Sequence, residues 1–208
     1  MLEMTNTSVV SQTALPIDDL RWDQGLTLPE FVAQMSVDQE AMTRRLETVQ
    51  LSEEEHAAAA ALQRPIRVLV MTEDWCVDCL MNLPILARLT EAAPDMEVRV
   101  FLRSRWPDLQ AWFAASDITS IPVFAFLDKP FRLIGTWVER SKAAHARLAL
   151  WNEAHPEVSA IRRDESLSRE ERKARLDPIF ERLKADMETW YAEGFQAATV
   201  REIMEILQ

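Results

Sequence analysis

Residues 66–79 read IRVLVMTEDWCVDC and join an apolar run to a closely spaced pair of cysteines. The run from Ile66 to Met71 is almost entirely apolar and rich in branched side chains, which predicts a central strand covered on both faces. The only two cysteines of the 208 residues, Cys76 and Cys79, follow this run within the sequence WCVDC. A cysteine pair at the end of a strand and the start of a helix is a redox site far more often than a structural staple.

The start of a helix changes the chemistry of a thiol. Free backbone N–H groups and the positive end of the helix dipole stabilise a thiolate at the first cysteine. The second cysteine lies one turn further in, close enough to attack a mixed disulfide formed by the first. The spacing therefore predicts that Cys76 attacks a substrate and that Cys79 resolves the product.

Two other interpretations of the cysteines stay open from the residues alone. Both thiols could be small apolar fillers of a core, or the pair could supply half of a four-ligand zinc site. Zinc would need two further ligands, and the three histidines, His56, His145 and His155, do not have the spacing of paired zinc ligands. The sequence therefore favours redox chemistry and predicts no metal.

Composition excludes several classes of partner. The formal net charge is −11, which disfavours a nucleic-acid backbone or an anionic membrane surface. No apolar run approaches the roughly 18 residues of a membrane span, and no secretory signal is visible at the N-terminus. We therefore expect a soluble, cytoplasmic protein without nucleic-acid or membrane partners.

Three glycines and many alanine, leucine and glutamate residues predict a chain that is mostly helical outside one compact sheet. We divide it into a flexible tail at 1–14, an N-terminal helical extension at 15–62, a redox domain at 63–152 and a C-terminal helical extension at 153–208. In the first extension, helices are predicted from Thr27, from Asp38 and from the capping box that Ser52 forms with Glu55.

The redox domain is predicted to alternate between strands and helices. After the first strand come a helix from Cys79 to about Ala93 with Pro84 inside it, a strand at 97–103, a helix at 107–115, a hairpin of strands at 122–127 and 131–137, and a helix at 139–151. In the C-terminal extension one helix is predicted to end at Leu176, a new one to restart at Asp177-Pro178, and a last one to cover 198–207.

The order β-α-β-α-β-β-α, with W-C-x-x-C at the first strand-to-helix junction, resembles the thioredoxin superfamily. The larger pattern is similar to bacterial thioredoxin-like proteins that combine W-C-x-D-C with helical extensions. The resemblance rests on the motif at 75–79, on Pro84 in the place of the family's helix-kinking proline, and on Ile121-Pro122 before the hairpin. It implies an α/β fold whose thioredoxin-like core has three layers, α/β/α, around a central mixed sheet.

The resemblance also implies the surroundings of the cysteines. Ile121-Pro122 is expected to have a cis peptide bond facing Cys76 and to expose backbone groups that pair with an extended substrate. Val77, between the cysteines, belongs to the same active-site turn. Trp75 is expected either to shape the surface around the sulfurs or to be an ordinary core tryptophan.

Departures from the thioredoxin pattern concern charge. Val77-Asp78 replaces Gly-Pro, and Val70 stands where thioredoxins have a buried aspartate, so the usual proton acceptor for the resolving thiol is missing. Asp78 could take that role, although a solvated aspartate that favours the helix dipole is the preferred interpretation. Arg140 is also expected to be solvated.

Glu73, Asp74 and Asp78 are predicted to surround Cys76 with negative charge, which opposes the effect of the helix start. We therefore expect the pKa of Cys76 to lie at or above that of thioredoxin, as in a dithiol reductant rather than a disulfide donor.

These features predict a thiol-disulfide oxidoreductase that needs no bound cofactor. Its partners would be a disulfide-containing protein or small thiol as substrate, and a reductase or small thiol for regeneration. The alternative is a redox-regulated interaction or scaffold protein on the same fold. A further alternative is a metal or iron-sulfur site shared by two copies through their C-x-x-C motifs.

Overall fold

The computed structural model describes residues 14–208. The predicted tail at 1–14 lies outside the described residues except for its last position. No helix of the described chain is long and apolar enough to cross a membrane.

The N-terminal extension is helical, as predicted. It contains α1 (Asp19–Trp22), which was not predicted, followed by α2 (Leu28–Gln34), α3 (Gln39–Thr48) and α4 (Glu53–Ala60). The predicted capping box of α4 is confirmed, because the Ser52 side chain accepts from the backbone N–H of Glu55 while the Glu55 carboxylate accepts from that of Ser52. Thr27 and Glu30 form the same arrangement at α2. Local side-chain chemistry therefore fixes where these helices begin.

Four strands form one mixed sheet in the order β2-β1-β3-β4. The strands are β1 (Ile66–Thr72), β2 (Met96–Leu102), β3 (Val123–Leu127) and β4 (Leu133–Val138). β1 pairs parallel with β2 and antiparallel with β3, and β3 pairs antiparallel with β4. The parallel pair requires a crossover, which α5 (Val77–Ala92) supplies, whereas β3 and β4 form the predicted hairpin. β1 is an inner strand, as its apolar sequence predicted.

Both faces of the sheet are covered. Leu69 and Met71 of β1 pack in a cluster with Phe101 and Phe113, on one face. The alternate residues Val68 and Val70 are also fully buried. Pro84 lies inside α5, as predicted, and α6 (Pro107–Ala114) follows β2. The predicted α/β fold with a central mixed sheet and helical extensions is confirmed.

The chain divides into two compact units, one running through Arg140 and including Thr199–Gln208, the other comprising Ser141–Ala198. The second unit contains α7 (Lys142–Ala154), α8 (Pro156–Arg163), which was not predicted, and α9 (Arg169–Trp190), followed by a π-helical turn at Tyr191–Phe195. The last helix, α10 (Gln196–Leu207), brings its C-terminal part back to the first unit. There Glu202 accepts a hydrogen bond from the indole of Trp137 in β4 at 3.0 Å.

Two sequence-based helix boundaries were wrong. The predicted restart at Asp177-Pro178 does not occur, because α9 continues through it and Asp177 forms an ion pair with Lys173 one turn earlier instead of capping. An interior proline can kink a helix without ending it, and here the continuous helix keeps Leu176 and Ile179 in buried positions. The helix predicted from Glu139 begins at Lys142, because Ser141 caps it.

Candidate active site

The two cysteines lie at the junction between β1 and α5. Cys76 is the N-cap residue of α5 and Cys79 lies in its first turn. Cys76 is partly exposed, Cys79 is buried, and the two thiols are not bonded to each other. The accessible thiol is therefore the one that the sequence assigned to attack.

The loop that precedes β3 contacts the first cysteine. The Ile121-Pro122 bond is cis, as the resemblance implied, and it directly precedes β3. The Cys76 thiol donates a hydrogen bond to the Ile121 carbonyl oxygen, with 3.4 Å between Sγ and O. Cys76, Ile121 and Pro122 thus form one site, although 45 residues separate the cysteine from the loop.

Burial raises the pKa of the Cys76 thiol to about 12. Backbone N–H groups of Cys79 and Asp78 lower this pKa, as expected at a helix start, but their effect is smaller than that of burial. The Asp78 carboxylate raises the pKa and the Arg140 guanidinium lowers it. The direction agrees with the expectation from the sequence, but the largest cause is burial rather than like charge.

The pKa of Cys79 is also raised, first by burial and then by the neighbouring Cys76 thiol. A hydrogen bond with the Thr72 side chain acts in the opposite direction. Both thiols therefore favour the protonated form near neutral pH.

The predicted solvated role of Asp78 was wrong, and so was that of Arg140. Each residue is only 9 % exposed. The guanidinium donates to both carboxylate oxygens, from Nε to Oδ1 at 2.7 Å and from Nη2 to Oδ2, and it also pairs with Glu139 at 2.8 Å. A buried carboxylate needs such a partner, since an unpaired charge in the interior is strongly disfavoured.

A second layer of buried polar groups supports this ion pair. The Asn82 amide donates to the backbone carbonyl oxygens of Asp78 at 2.8 Å and of Glu139 at 3.3 Å. The Thr199 hydroxyl donates to the Asn82 side-chain oxygen at 3.0 Å. Asn82 and Thr199 are fully buried, so the segment carrying Arg140 is tied to both α5 and α10.

The other two acidic residues near the motif have their own hydrogen-bond donors. Glu73 accepts from the backbone N–H of Ser104 at 2.5 Å, and Asp74 accepts from the N–H of Ser36 at 2.9 Å and from its hydroxyl at 2.7 Å. The hydrogen bonds from Ser36 hold the pKa of Asp74 below its usual range. Both carboxylates thus help to fix the loop between β1 and Cys76.

Trp75 is not a core tryptophan, since 54 % of it is exposed. The Arg103 guanidinium lies over its ring, with 5.6 Å between Cζ and the ring centroid. Val77 is partly exposed at the first position of α5. The surface beside Cys76 therefore has an aromatic and a cationic component.

Sequence reasoning did not assign Arg140 or Arg103 to the site. Asp78 and Arg140 are 62 residues apart and share no motif, so spacing alone could not pair them. The available signal was Asp78 itself, an acidic residue between two cysteines, whose carboxylate requires a cation from elsewhere in the fold once it is buried. In the described part of the chain, no three His, Cys, Asp or Glu side chains are grouped so that they could hold a metal ion.

Together, the mixed sheet, the cysteine pair at a strand-to-helix junction and the adjacent cis-proline define a protein of the thioredoxin-like α/β class. A family model described as Thioredoxin matches residues 25–172. The chain belongs to this family. No curated protein matches it.

Two solved structures resemble most of the chain. A protein of unknown function from Pseudomonas aeruginosa is 23 % identical, with a TM-score of 0.61, over 89 % of this chain and 93 % of that one. An HIV epitope scaffold is 20 % identical, also with a TM-score of 0.61, over 92 % of this chain and 98 % of the scaffold. At these identities the likeness concerns the fold, and it extends over the helical extensions as well as the core.

The raised pKa of Cys76 predicts how its reactivity depends on pH. Below a pKa of about 12 the thiolate fraction grows roughly tenfold for each pH unit, so alkylation by iodoacetamide should accelerate by about that factor per unit from pH ~6 to ~9. The rate is measured by mass spectrometry of quenched samples, with Cys76→Ser as the control for reaction at Cys79. A plateau near neutral pH would show instead that the helix start outweighs burial.

Proposed function

We propose that this protein is a thiol-disulfide oxidoreductase that acts as a dithiol reductant. The observation that carries the proposal is the placement of Cys76, a partly exposed N-cap thiol beside the Ile121 carbonyl, with the buried Cys79 in the same first turn. This placement gives one thiol access to a substrate and reserves the other for the second step.

The proposed reaction has two exchanges. The Cys76 thiolate attacks one sulfur of a substrate disulfide, a new S–S bond forms, and the first substrate thiol leaves after taking a proton from solvent. Cys79 then loses its proton and attacks Cys76 Sγ, which releases the second substrate thiol and leaves a Cys76–Cys79 disulfide. Two electrons pass from the protein to the substrate, so a reductase or an external thiol must return them.

The electrostatics of the site support reduction rather than oxidation. An oxidising member of this fold class is a strong oxidant because its reduced form is stabilised, with a cysteine pKa of about 3.5. Here burial opposes the Cys76 thiolate, and the positive charge of Arg140 is balanced by Asp78. The reduced form thus lacks that stabilisation, which favours the disulfide and a low reduction potential.

No bound cofactor takes part in the proposed reaction, since the cysteine pair itself carries the two electrons. Its substrates are proteins or small molecules that contain a disulfide. A dithiol reductant is also suited to the cytoplasm, where thiols are kept reduced. We therefore extend the proposal to that compartment.

The proposal is tested by the reduction potential of the Cys76–Cys79 pair. The protein is equilibrated in dithiothreitol buffers of graded potential and followed through the fluorescence of the neighbouring Trp75. We expect a reversible two-electron transition near or below about −270 mV, the value of thioredoxin. A potential above about −200 mV would indicate an oxidant or isomerase. The absence of any transition would overturn the proposal.

A further inference from the structure

Arg103 occupies a defined place at the edge of the candidate active site. Its backbone N–H donates to the carbonyl oxygen of Thr72, the last residue of β1, at 3.0 Å. Its side chain lies over the Trp75 ring and reaches toward the Thr119 carbonyl oxygen, at 3.5 Å. The guanidinium therefore lies between the tryptophan that precedes Cys76 and the loop that leads to Pro122.

The positive charge of Arg103 has no acidic partner among residues 14–208. Its side chain contacts the Trp75 ring and the Thr119 carbonyl, and neither carries a charge. The carboxylates in the vicinity have other donors, as Glu73 accepts from Ser104 and Asp74 from Ser36. A positively charged side chain thus lies at the edge of the candidate active site, in a protein whose net charge is −11.

The exposed Trp75 ring gives this cation a contact partner at the surface. A guanidinium that lies over an aromatic face can still direct N–H donors from its edge to the two oxygens of a carboxylate. Large exposed aromatic residues and arginines are also the residue types that dominate recognition surfaces. The two side chains together offer an apolar aromatic surface and a planar set of carboxylate-binding N–H donors, on and beside the residue that precedes Cys76.

We propose that Trp75 and Arg103 select disulfide substrates that carry a carboxylate close to the reacting sulfur. This inference rests on the proposed oxidoreductase function and names its substrate class. The carboxylate could belong to an acidic side chain that flanks a cysteine in a protein segment, or to a small disulfide such as oxidised glutathione. In both cases Arg103 binds the carboxylate while Trp75 packs against the adjoining chain.

The test compares disulfides that differ only in charge. Three symmetric peptide disulfides, with Glu, Gln or Lys beside the cysteine, and oxidised glutathione are each mixed with the reduced protein, and oxidation is followed by tryptophan fluorescence. The variant is Arg103→Gln. The matched control is Arg132→Gln, which removes the same charge at the turn between β3 and β4, at the opposite end of β1 from the cysteines.

For the wild type we expect the Glu peptide to react about 1.5 to 5 times faster than the Gln peptide, the range of one exposed ion pair. The Lys peptide should be slowest. Arg103→Gln should abolish the preference for Glu over Gln, whereas Arg132→Gln should keep it. Arg103→Lys should retain part of the preference, because lysine keeps the positive charge but lacks the planar pair of N–H donors.

The remaining outcomes identify the source of the carboxylate. They also distinguish failure of the substrate inference from failure of the proposed oxidoreductase function. A loss of rate in Arg103→Gln with the Glu peptide but not with glutathione identifies a protein segment as the source, and the reverse identifies the small disulfide. Equal wild-type rates for the three peptides combined with no loss for oxidised glutathione in Arg103→Gln, or an equal loss for every disulfide in that variant, would overturn the inference and leave the oxidoreductase function intact. If the wild type reduces none of the disulfides, the proposed function fails, and the inference fails with it.

Discussion

Replacing Cys76 by serine should lower the rate of disulfide reduction by at least about a thousandfold, since the reaction loses its nucleophile. The hydroxyl of serine is far less acidic than a thiol and cannot form the mixed disulfide. Cys79 cannot substitute for the missing thiol because it is buried. The rate is measured with a chromogenic or fluorescent model disulfide under excess dithiothreitol.

The matched variant is Cys79→Ser, which keeps the attacking thiol and removes the resolving one. It should form a mixed disulfide with the substrate and hold it, giving an adduct on Cys76 that mass spectrometry detects. Cys76→Ser should give no adduct. An adduct on Cys79 in that variant, or reduction at an unchanged rate, would contradict the assignment of the two roles.

Local sequence patterns predicted most elements of the core because the interactions that determine them are local. The apolar run of β1 and the capping box at Ser52 each specify an element within a few residues, and both were confirmed. The restart at Asp177-Pro178 was wrong for the opposite reason. Burial of Ile179 in the continuous helix outweighed the capping pattern of Asp177-Pro178. A local sequence pattern does not measure such burial.

The site shows the same division between local and distant causes. The cysteine pair, the strand end and the helix start lie within one short stretch, so their arrangement could be predicted. The partner of Asp78 could not, because Arg140 is supplied from a segment just after β4 and is held there by Asn82 and Thr199. The charges around Cys76 therefore depend on the tertiary structure. The sequence predicted only that the pKa of Cys76 would not be strongly lowered.

Replacing Arg140 by methionine should lower the free energy of unfolding of the reduced protein by about 3–5 kcal/mol. Methionine keeps much of the apolar volume but leaves the Asp78 carboxylate buried without its guanidinium. Without that cation the pKa of Cys76 should rise further, because Arg140 is one of the groups that lower it. Urea unfolding, followed by circular dichroism, measures the stability.

Two comparisons separate the buried charge from a general loss of arginine. Arg132→Met removes an exposed ion pair with Asp128, which should cost less than about 1 kcal/mol. The double variant Asp78→Leu with Arg140→Met removes both buried charges, so it should recover most of the stability lost in Arg140→Met alone. If the double variant is as unstable as the single one, packing of the arginine stem would explain the loss. Recovery in the double variant would instead assign the loss of stability to the unpaired Asp78 carboxylate. It would also show that Arg140 neutralises a buried charge and that the ion pair as a whole adds little to the stability of the fold.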